Sequence, residues 1–325
     1  MKDMIEKLAG IQAPSGSEDN LTDAISKLLA PISTTKDFMG NLLVKKESSG
    51  SKILVMTSID HDSIVANFID DRGFVRFYPS SGLHEKDVLG RQVVFMSGIT
   101  GLVGTEDLPD GKPQFSKMFI DIGAKDKATA AKHITIGDHA CLPVKFRLEG
   151  DRLVAGANGN ITSTILAWAI KEIDTTPNNL VFAFASQGKI GGRGAMAVMT
   201  GEKPDLTISI DLYTATDTPN HPDKVKIELE EGPVLVIADS YIVRSKAVVE
   251  SIKTVASSSN IPLQVAISDK FDTKDMRVGM AVTANPMVSL CLPVRNYGEG
   301  IVCSLKDAQN LAKLLAKVVV KKLLK

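Results

Sequence analysis

The order of apolar patterns predicts an α/β fold, a central mixed sheet flanked by helices, with a small β-barrel inserted into it. Three observations carry this. Apolar runs of strand length, bounded by turn residues, occur at 52–57, 180–185, 206–211 and 287–292 and read as buried strands. Helical periodicity alternates with them at 2–11, 18–30 and 244–257 and again from Leu305. Between about 64 and 150 the pattern changes to short β runs with glycine turns, then changes back.

Composition sets the outer bounds. The chain has 325 residues with 44% hydrophobic content, ample for a packed core, and 38 basic side chains balance 38 acidic ones. No field favours nucleic acid or an anionic membrane. The N-terminus begins as an amphipathic helix without the apolar core of a signal peptide, and no apolar run approaches the roughly 20 residues that span a bilayer. Cys141, Cys291 and Cys303 lack metal-like spacing and read as reduced core thiols, so a cytoplasmic protein is expected.

In chain order, Pro14 and Gly16 separate the first two helices, and Ser17 is the expected cap of the second. Strands are expected at 33–37 and 42–45 around the Gly40-Asn41 turn, and the strand at 52–57 ends in Ser58-Ile59-Asp60-His61-Asp62. The inserted segment, 63–151, carries predicted strands at 64–69, 74–78, 92–96, 98–103, 118–122 and 142–147, with a short helix at 126–133. The remainder, 1–62 and 152–325, is read as one α/β domain. The strand at 180–185 opens into the turn Gln187-Gly188-Lys189-Ile190-Gly191, with a helix expected at 191–199 behind it. Two strands are expected in 225–240 around Gly232-Pro233. The last helix is expected to start with Ser304 as cap and Asp307 at its third position, a capping-box variant.

The residues of that turn carry a resemblance. The run Phe184 to Ala195, FASQGKIGGRGA, resembles the strand and turn of the glutamyl or deblocking aminopeptidases, co-catalytic metallopeptidases that build tetrahedral dodecamers. There, two adjacent glutamates, the general base and a metal ligand, precede a Val-Gly-x-Arg-Gly-Ala sequence. Pro14-Ser15-Gly16-x-Glu18 matches the family's N-terminal signature, while Asp70 to Phe74 and Asp121 to Ala124 resemble its dimerisation domain. The resemblance implies a zinc-aminopeptidase-like (phosphorylase/hydrolase-like) fold, two zinc or cobalt ions, dimers through the inserted barrel, and a twelve-subunit assembly.

Carried over position by position, it also implies a dismantled site. The base falls on Gly188 and the adjacent metal-binding glutamate on Lys189. The family's His-x-Asp falls on Ser58 and Asp60. Its Asp-Asp-Arg, whose first aspartate bridges both metals, falls on Gly159, Asn160 and Ile161. Its aspartate ligand is Asp211, its last metal histidine falls on Gly298, and its Gly-Gly-Gly-Thr-Asp-Ala loop falls on 270–275, without the glycines. Two of seven positions, Asp60 and Asp211, keep their acids. No metal cofactor is therefore expected.

Three functions stay open: a non-catalytic homologue (a pseudoenzyme) keeping fold, assembly and a peptide-sized cleft; a hydrolase with a rearranged site drawn from Asp60, His61, Asp62, Lys189 and Asp211; and a structural subunit co-assembling with an active relative. The first is favoured. Lys189 is expected within ion-pair reach of Asp60 or Asp211, offsetting the desolvation of these acids; its alternative role is a nucleophile or proton carrier. Strand alternation would place Asp60 and Asp62 on one face and His61 on the other. Ser58 lacks a nucleophile elbow. His84, His133, His139 and His221 read as surface residues.

Overall fold

The computed structural model describes residues 1–80, 82–107, 111–143, 146–155, 158–219, 221, 225–239, 244–268, 278–279, 281–296 and 300–323, with 158, 159 and 268 described by backbone alone. Its central sheet has eight strands in the spatial order Thr35–Lys36, Leu42–Lys46, Asn179–Ala185, Lys52–Ser58, Leu206–Thr214, Met287–Val294, Val234–Asp239, Gln264–Ser268. The middle four are mutually parallel, whereas Leu42–Lys46 and Val234–Asp239 run antiparallel to their inner neighbours. The carboxyl ends of the four parallel strands therefore open at the same edge.

Alternation within the buried strands serves two helical layers. Ile53, Val55, Leu180, Phe182 and Phe184 share a core with the helices Lys2–Leu8, Asp19–Leu29, Asn158–Lys171, Lys246–Ser258 and Leu305–Val319. The intervening Leu54, Met56, Val181, Ala183 and Ala185 pack on Ala195, Val198 and Met199 of the helix Arg193–Glu202. Each large side chain so enclosed contributes about 2–3 kcal/mol. This is the mixed, doubly covered sheet that the apolar runs predict.

A closed barrel of six strands, Ile64–Ile69, Val75–Pro79, Met118–Asp121, Thr100–Thr105, Gln92–Phe95 and His139–Cys141, has its own core around Val75, Phe95, Val103, Met118 and Ile120. The strand expected at 142–147 is displaced. Pro143 has no N–H for a ladder, so pairing stops at Cys141 and resumes at Arg147–Glu149. That strand joins Arg152–Ala155 and Ile301–Ser304 in a separate three-stranded sheet.

Other expectations shift for local reasons. Gly191 and Gly192 take positive φ, +100° and +65°, so the helix begins at Arg193. Glu18, not Ser17, is the cap residue of Asp19–Leu29, and its side chain makes no cap bond. Only one strand, Val234–Asp239, forms in the described part of 225–240. Ser304 caps the last helix as expected, but the Asp307 carboxylate does not close a capping box: it accepts the N–H groups of Glu230 (2.6 Å) and Gly232 (2.9 Å). Those residues have φ of +72° and +91°, a turn geometry that excludes a ladder there.

Cys141, Cys291 and Cys303 are free and buried, and no helix among the described residues is long and apolar enough to cross a membrane. Asp307 is wholly buried, so Asp307→Ala leaves two enclosed N–H donors without acceptors. A loss of about 3 kcal/mol in urea unfolding is expected, with Asp307→Asn losing less because one oxygen remains. Equal, small losses for both variants would show that the turn finds other acceptors.

Candidate functional site

The parallel register pairs Ala185 with Ser58, so the segments following these strands emerge side by side. Asp60 follows Ser58 and is 2% exposed. Its Oδ1 accepts the backbone N–H of Gly188 (2.9 Å), and its Oδ2 accepts that of Lys189 (2.8 Å) together with the Ser15 hydroxyl. Glu18 Oε1 accepts the N–H of Gln187 (2.8 Å) and of Gly16 (3.0 Å). Three consecutive N–H groups of the turn are thus held by two carboxylates. Gln187 sits at φ +52°, a left-handed conformation that these bonds stabilise. Burial pushes the Asp60 carboxyl above its ordinary range despite its donors; Glu18 is raised by burial and by the nearby Asp60 charge.

Gly188 has no room for a side chain. A Cβ there would lie 2.1 Å from Ser58 Oγ, 2.7 Å from Ser58 Cβ and 3.0 Å from Asp60 Oδ1. The hydroxyl can rotate away, but the Ser58 Cβ is fixed by the strand. Gly188 and Ser58 are therefore complementary, and the turn lies directly against the strand end.

The Lys189 ammonium pairs with Asp62 Oδ2 at 3.1 Å, both side chains about four-fifths buried. The expected partner was Asp60 or Asp211. The backbone N–H of Lys189 meets Asp60, and the lysine's charge draws the Asp60 carboxyl downward. The other oxygen of Asp62 is enclosed without a hydrogen bond. Asp211 is half-buried within Leu206–Thr214; its Oδ1 accepts the N–H of Leu212 (2.7 Å), and its charge adds to burial in raising the Cys291 thiol.

His61 belongs to a different network. Its Nδ1 accepts the N–H of Ala13 (3.2 Å), and Nε2 lies 3.0 Å from Asn160 Oδ1, which fits the neutral tautomer donating from Nε2. Asn160 Nδ2 in turn donates to the carbonyls of Leu8 (2.8 Å), Ile11 (3.0 Å) and Ala9 (3.3 Å). Complete burial depresses the His61 pKa to about 4. Both ring nitrogens are engaged within the protein, so the imidazole presents no free lone pair to a metal. Asp60 and Asp62 both meet Lys189 whereas His61 turns to Ala13 and Asn160, the sidedness that alternation gives for 60–62, although the strand itself ends at Ser58. His139, expected at the surface, is half-buried with Nδ1 3.3 Å from Ser63 Oγ, and burial lowers its pKa.

Gly298 and the 270–275 loop lie outside the described residues, and Gly159 is described by its backbone, in the first turn of Asn158–Lys171. Among the described residues no group of three or more His, Cys, Asp or Glu side chains forms a metal-holding set. Sequence reasoning missed Ser15 and Glu18 as site residues, although both stand in the Pro-Ser-Gly-x-Glu segment. It also missed Asn41, whose Oδ1 accepts the N–H of Ser186 (2.8 Å) beneath the turn.

A family model described as M42 glutamyl aminopeptidase matches residues 40–314. A candidate aminopeptidase of Acetivibrio thermocellus is 32% identical over 326 residues, covering 98% of each chain. The solved aminopeptidase APDkam598 of the archaeon Desulfurococcus kamchatkensis shares the fold with TM-score 0.90 at 24% identity, over 98% of this chain and 94% of its own. The TET1 peptidase of Pyrococcus horikoshii, which can assemble into a tetrahedron or a large octahedral shell, shares it with TM-score 0.88 at 22% identity, over 99% of each.

The His61 network generates a pH prediction. The folded pKa of about 4 lies below the ordinary 6.5, so the unfolded chain takes up this proton first as pH falls. The histidine's contribution is full above pH 6.5 and is lost between 6.5 and 4, about 3 kcal/mol in all. Asp60 and Glu18 act with the opposite sign, so the test is a difference: His61→Gln is expected to flatten the acid loss of stability relative to wild type in urea titrations from pH 7 to 4. Parallel profiles would mean that His61 does not titrate differently on unfolding.

Proposed function

Because the chain belongs to the M42 glutamyl aminopeptidase family, we propose that it is a non-catalytic member, one that keeps the fold, self-assembly and a peptide-sized cleft but not two-metal peptide hydrolysis. The observation that carries this reading is the contact of Gly188 with Ser58. At the position corresponding to the family's base, the space for even a Cβ is taken, 2.7 Å from a fixed carbon.

The donor set points the same way. A two-metal centre needs a bridging carboxylate, at least one further ligand on each ion and a base for the bridging water. The corresponding positions carry glycine at 159, 188 and 298, serine at 58 and lysine at 189. Glycine has no side-chain ligand atom and an ammonium has no acceptor. Asp60 already accepts three donors, two of them backbone N–H groups of the turn. The residues present do not fit the two ions. A hydrolase rearranged around His61 finds little support, since both its nitrogens are engaged.

In this reading the barrel segment, 63–151, is a module inserted into the domain formed by 1–62 and 152–325, and copies of the chain pair through it. Phe68, Tyr78, Leu102 and Ile136, all at least half exposed on the barrel segment, supply apolar surface for such pairing. The buried free thiols suit a reducing cytoplasm.

Protein purified without chelator is expected to carry no stoichiometric zinc or cobalt and to leave aminoacyl-amide substrates intact after either metal is added. One or more ions per chain at this cleft, or chelator-sensitive turnover, would overturn the proposal. Lys189→Met is expected to destabilise the fold by about 1–2 kcal/mol near pH 7, because it leaves Asp62 unpaired and removes a favourable charge from Asp60. The Asp60 part of the loss should shrink in acid, where that carboxyl is protonated. Sedimentation at micromolar concentration should give a dimer or larger; a monomer would count against self-assembly.

A further inference from the structure

We propose that Ser80 is a nucleophile, activated by His139 through Ser63, that reacts with activated acyl and phosphonyl groups. The three side chains come from separate strand ends of the barrel. Ser63 precedes the strand Ile64–Ile69, Ser80 follows Val75–Pro79, and His139 opens His139–Cys141. Ser63 Oγ lies 3.3 Å from His139 Nδ1 and 3.3 Å from Ser80 Oγ. The Ser63 N–H donates to Ser80 Oγ at 2.7 Å, and the Ser80 N–H donates to the Ser63 carbonyl at 2.7 Å. Ser63 is 1% exposed, whereas Ser80 and His139 are half-buried, so the middle of this row of groups is sealed and its two ends are not. Ser80 also borders the candidate site: two residues on, a Cβ at Gly82 would lie 2.7 Å from Asp62 Oδ1, and Asp62 is the partner of Lys189.

The row has the parts of a proton relay. With the His139 proton on Nε2, Nδ1 is an acceptor; Ser63 then donates to Nδ1 and accepts the Ser80 hydroxyl. Burial lowers the His139 pKa against the raising charge of Asp138 beside it, so the imidazole is neutral near pH 7 and can act as base. The strands paired with its own, Ile64–Ile69 and Gln92–Phe95, carry no titratable side chain, and Asp62, leading into the first of them, faces the Lys189 ammonium. The Ser63 N–H stabilises charge developing on Ser80 Oγ. In the step, Ser80 Oγ bonds to the acyl carbon, its proton passes to Ser63 as the Ser63 proton passes to Nδ1, and the leaving alcohol departs with the proton from His139. A relay of this kind acts on the nucleophile, so the substrate class is an acyl group on a good leaving group, an ester rather than an amide. This goes beyond the reading above, which concerns two-metal hydrolysis of peptide bonds, and draws on none of the positions of that centre.

The test is labelling of the full chain with a biotin-linked fluorophosphonate, whose P–F bond breaks and releases fluoride as the bond to Ser80 Oγ forms. Peptide mapping is expected to place about one adduct per chain on Ser80, and Ser80→Ala to abolish it. His139→Gln and Ser63→Ala are expected to slow labelling about 100-fold, the usual worth of a general base, with little change in thermal melting. The wild-type rate should fall as pH drops through an ionisation below 6.5, the ordinary histidine value, and that inflection should be missing from His139→Gln. No adduct, an adduct on another serine, or undiminished labelling of His139→Gln would overturn the proposal. Should either variant melt early, the wild type decides alone: a rate without an ionisation below 6.5 would overturn it equally.

Discussion

The buried carboxylate of Asp60 is the constraint on which the rest of the site depends. An ionised acid taken out of water is unfavourable by several kcal/mol, and the chain answers with donors from two distant places: a serine hydroxyl at position 15 and two backbone N–H groups at 188 and 189. Charge-assisted bonds of this kind each return about 1.5–3 kcal/mol. The net gain is small, but the geometry is tightly specified. Any slip of the turn leaves the acid and two N–H groups unsatisfied at once. Glu18 repeats the device one residue earlier, on Gln187.

The residues around this acid form a mutually consistent set. Gly188 leaves space that the Ser58 side chain occupies, so a larger residue at 188 would require the turn to retreat from the strand. Lys189 supplies a cation, and Asp62, two residues beyond Asp60, receives it. Asn160 is committed to being an amide. Its Nδ2 faces three carbonyl oxygens near the end of the first helix, and an aspartate there would set a carboxylate oxygen against all three. Its Oδ1 meanwhile receives His61. Asn160 thus fastens the N-terminal segment to the rest of the chain.

Legibility in the sequence followed contact range. Buried strands such as Asn179–Ala185 and Met287–Val294 were readable because their apolar runs are continuous, and the barrel because its short β runs and glycine turns form a separate texture. Local exceptions had local causes: Pro143 moved a strand, and the left-handed Glu230 and Gly232 removed one. The site was less readable. Glu18 and Gln187 are 169 residues apart, and Asp60 and Gly188 are 128 apart. Nothing in the local pattern assigns those partners. Lys189 was legible as a cation that needs an acid, and alternation put Asp62 on the face of Asp60, but which acid takes the ammonium and which the backbone N–H is set by contacts beyond the strand end.

The charge balance of the site follows from the same packing. Enclosure raises Asp60 and Glu18 and depresses His61. In each case it disfavours the charged form, so the acids and the histidine respond to pH with opposite signs: as the medium becomes more acid the folded chain is relieved of buried carboxylate charge, while the unfolded chain gains by protonating an imidazole that the fold holds neutral. The turn's N–H dipoles and the Lys189 ammonium supply the positive potential that the remaining carboxylates need. A divalent ion would supply the same potential, but it would require open acceptor atoms. Here Asp60 is directed at N–H groups, Asp62 at an ammonium and His61 at a backbone amide and an asparagine. The buried acids of the site are thus met by donors of the fold itself.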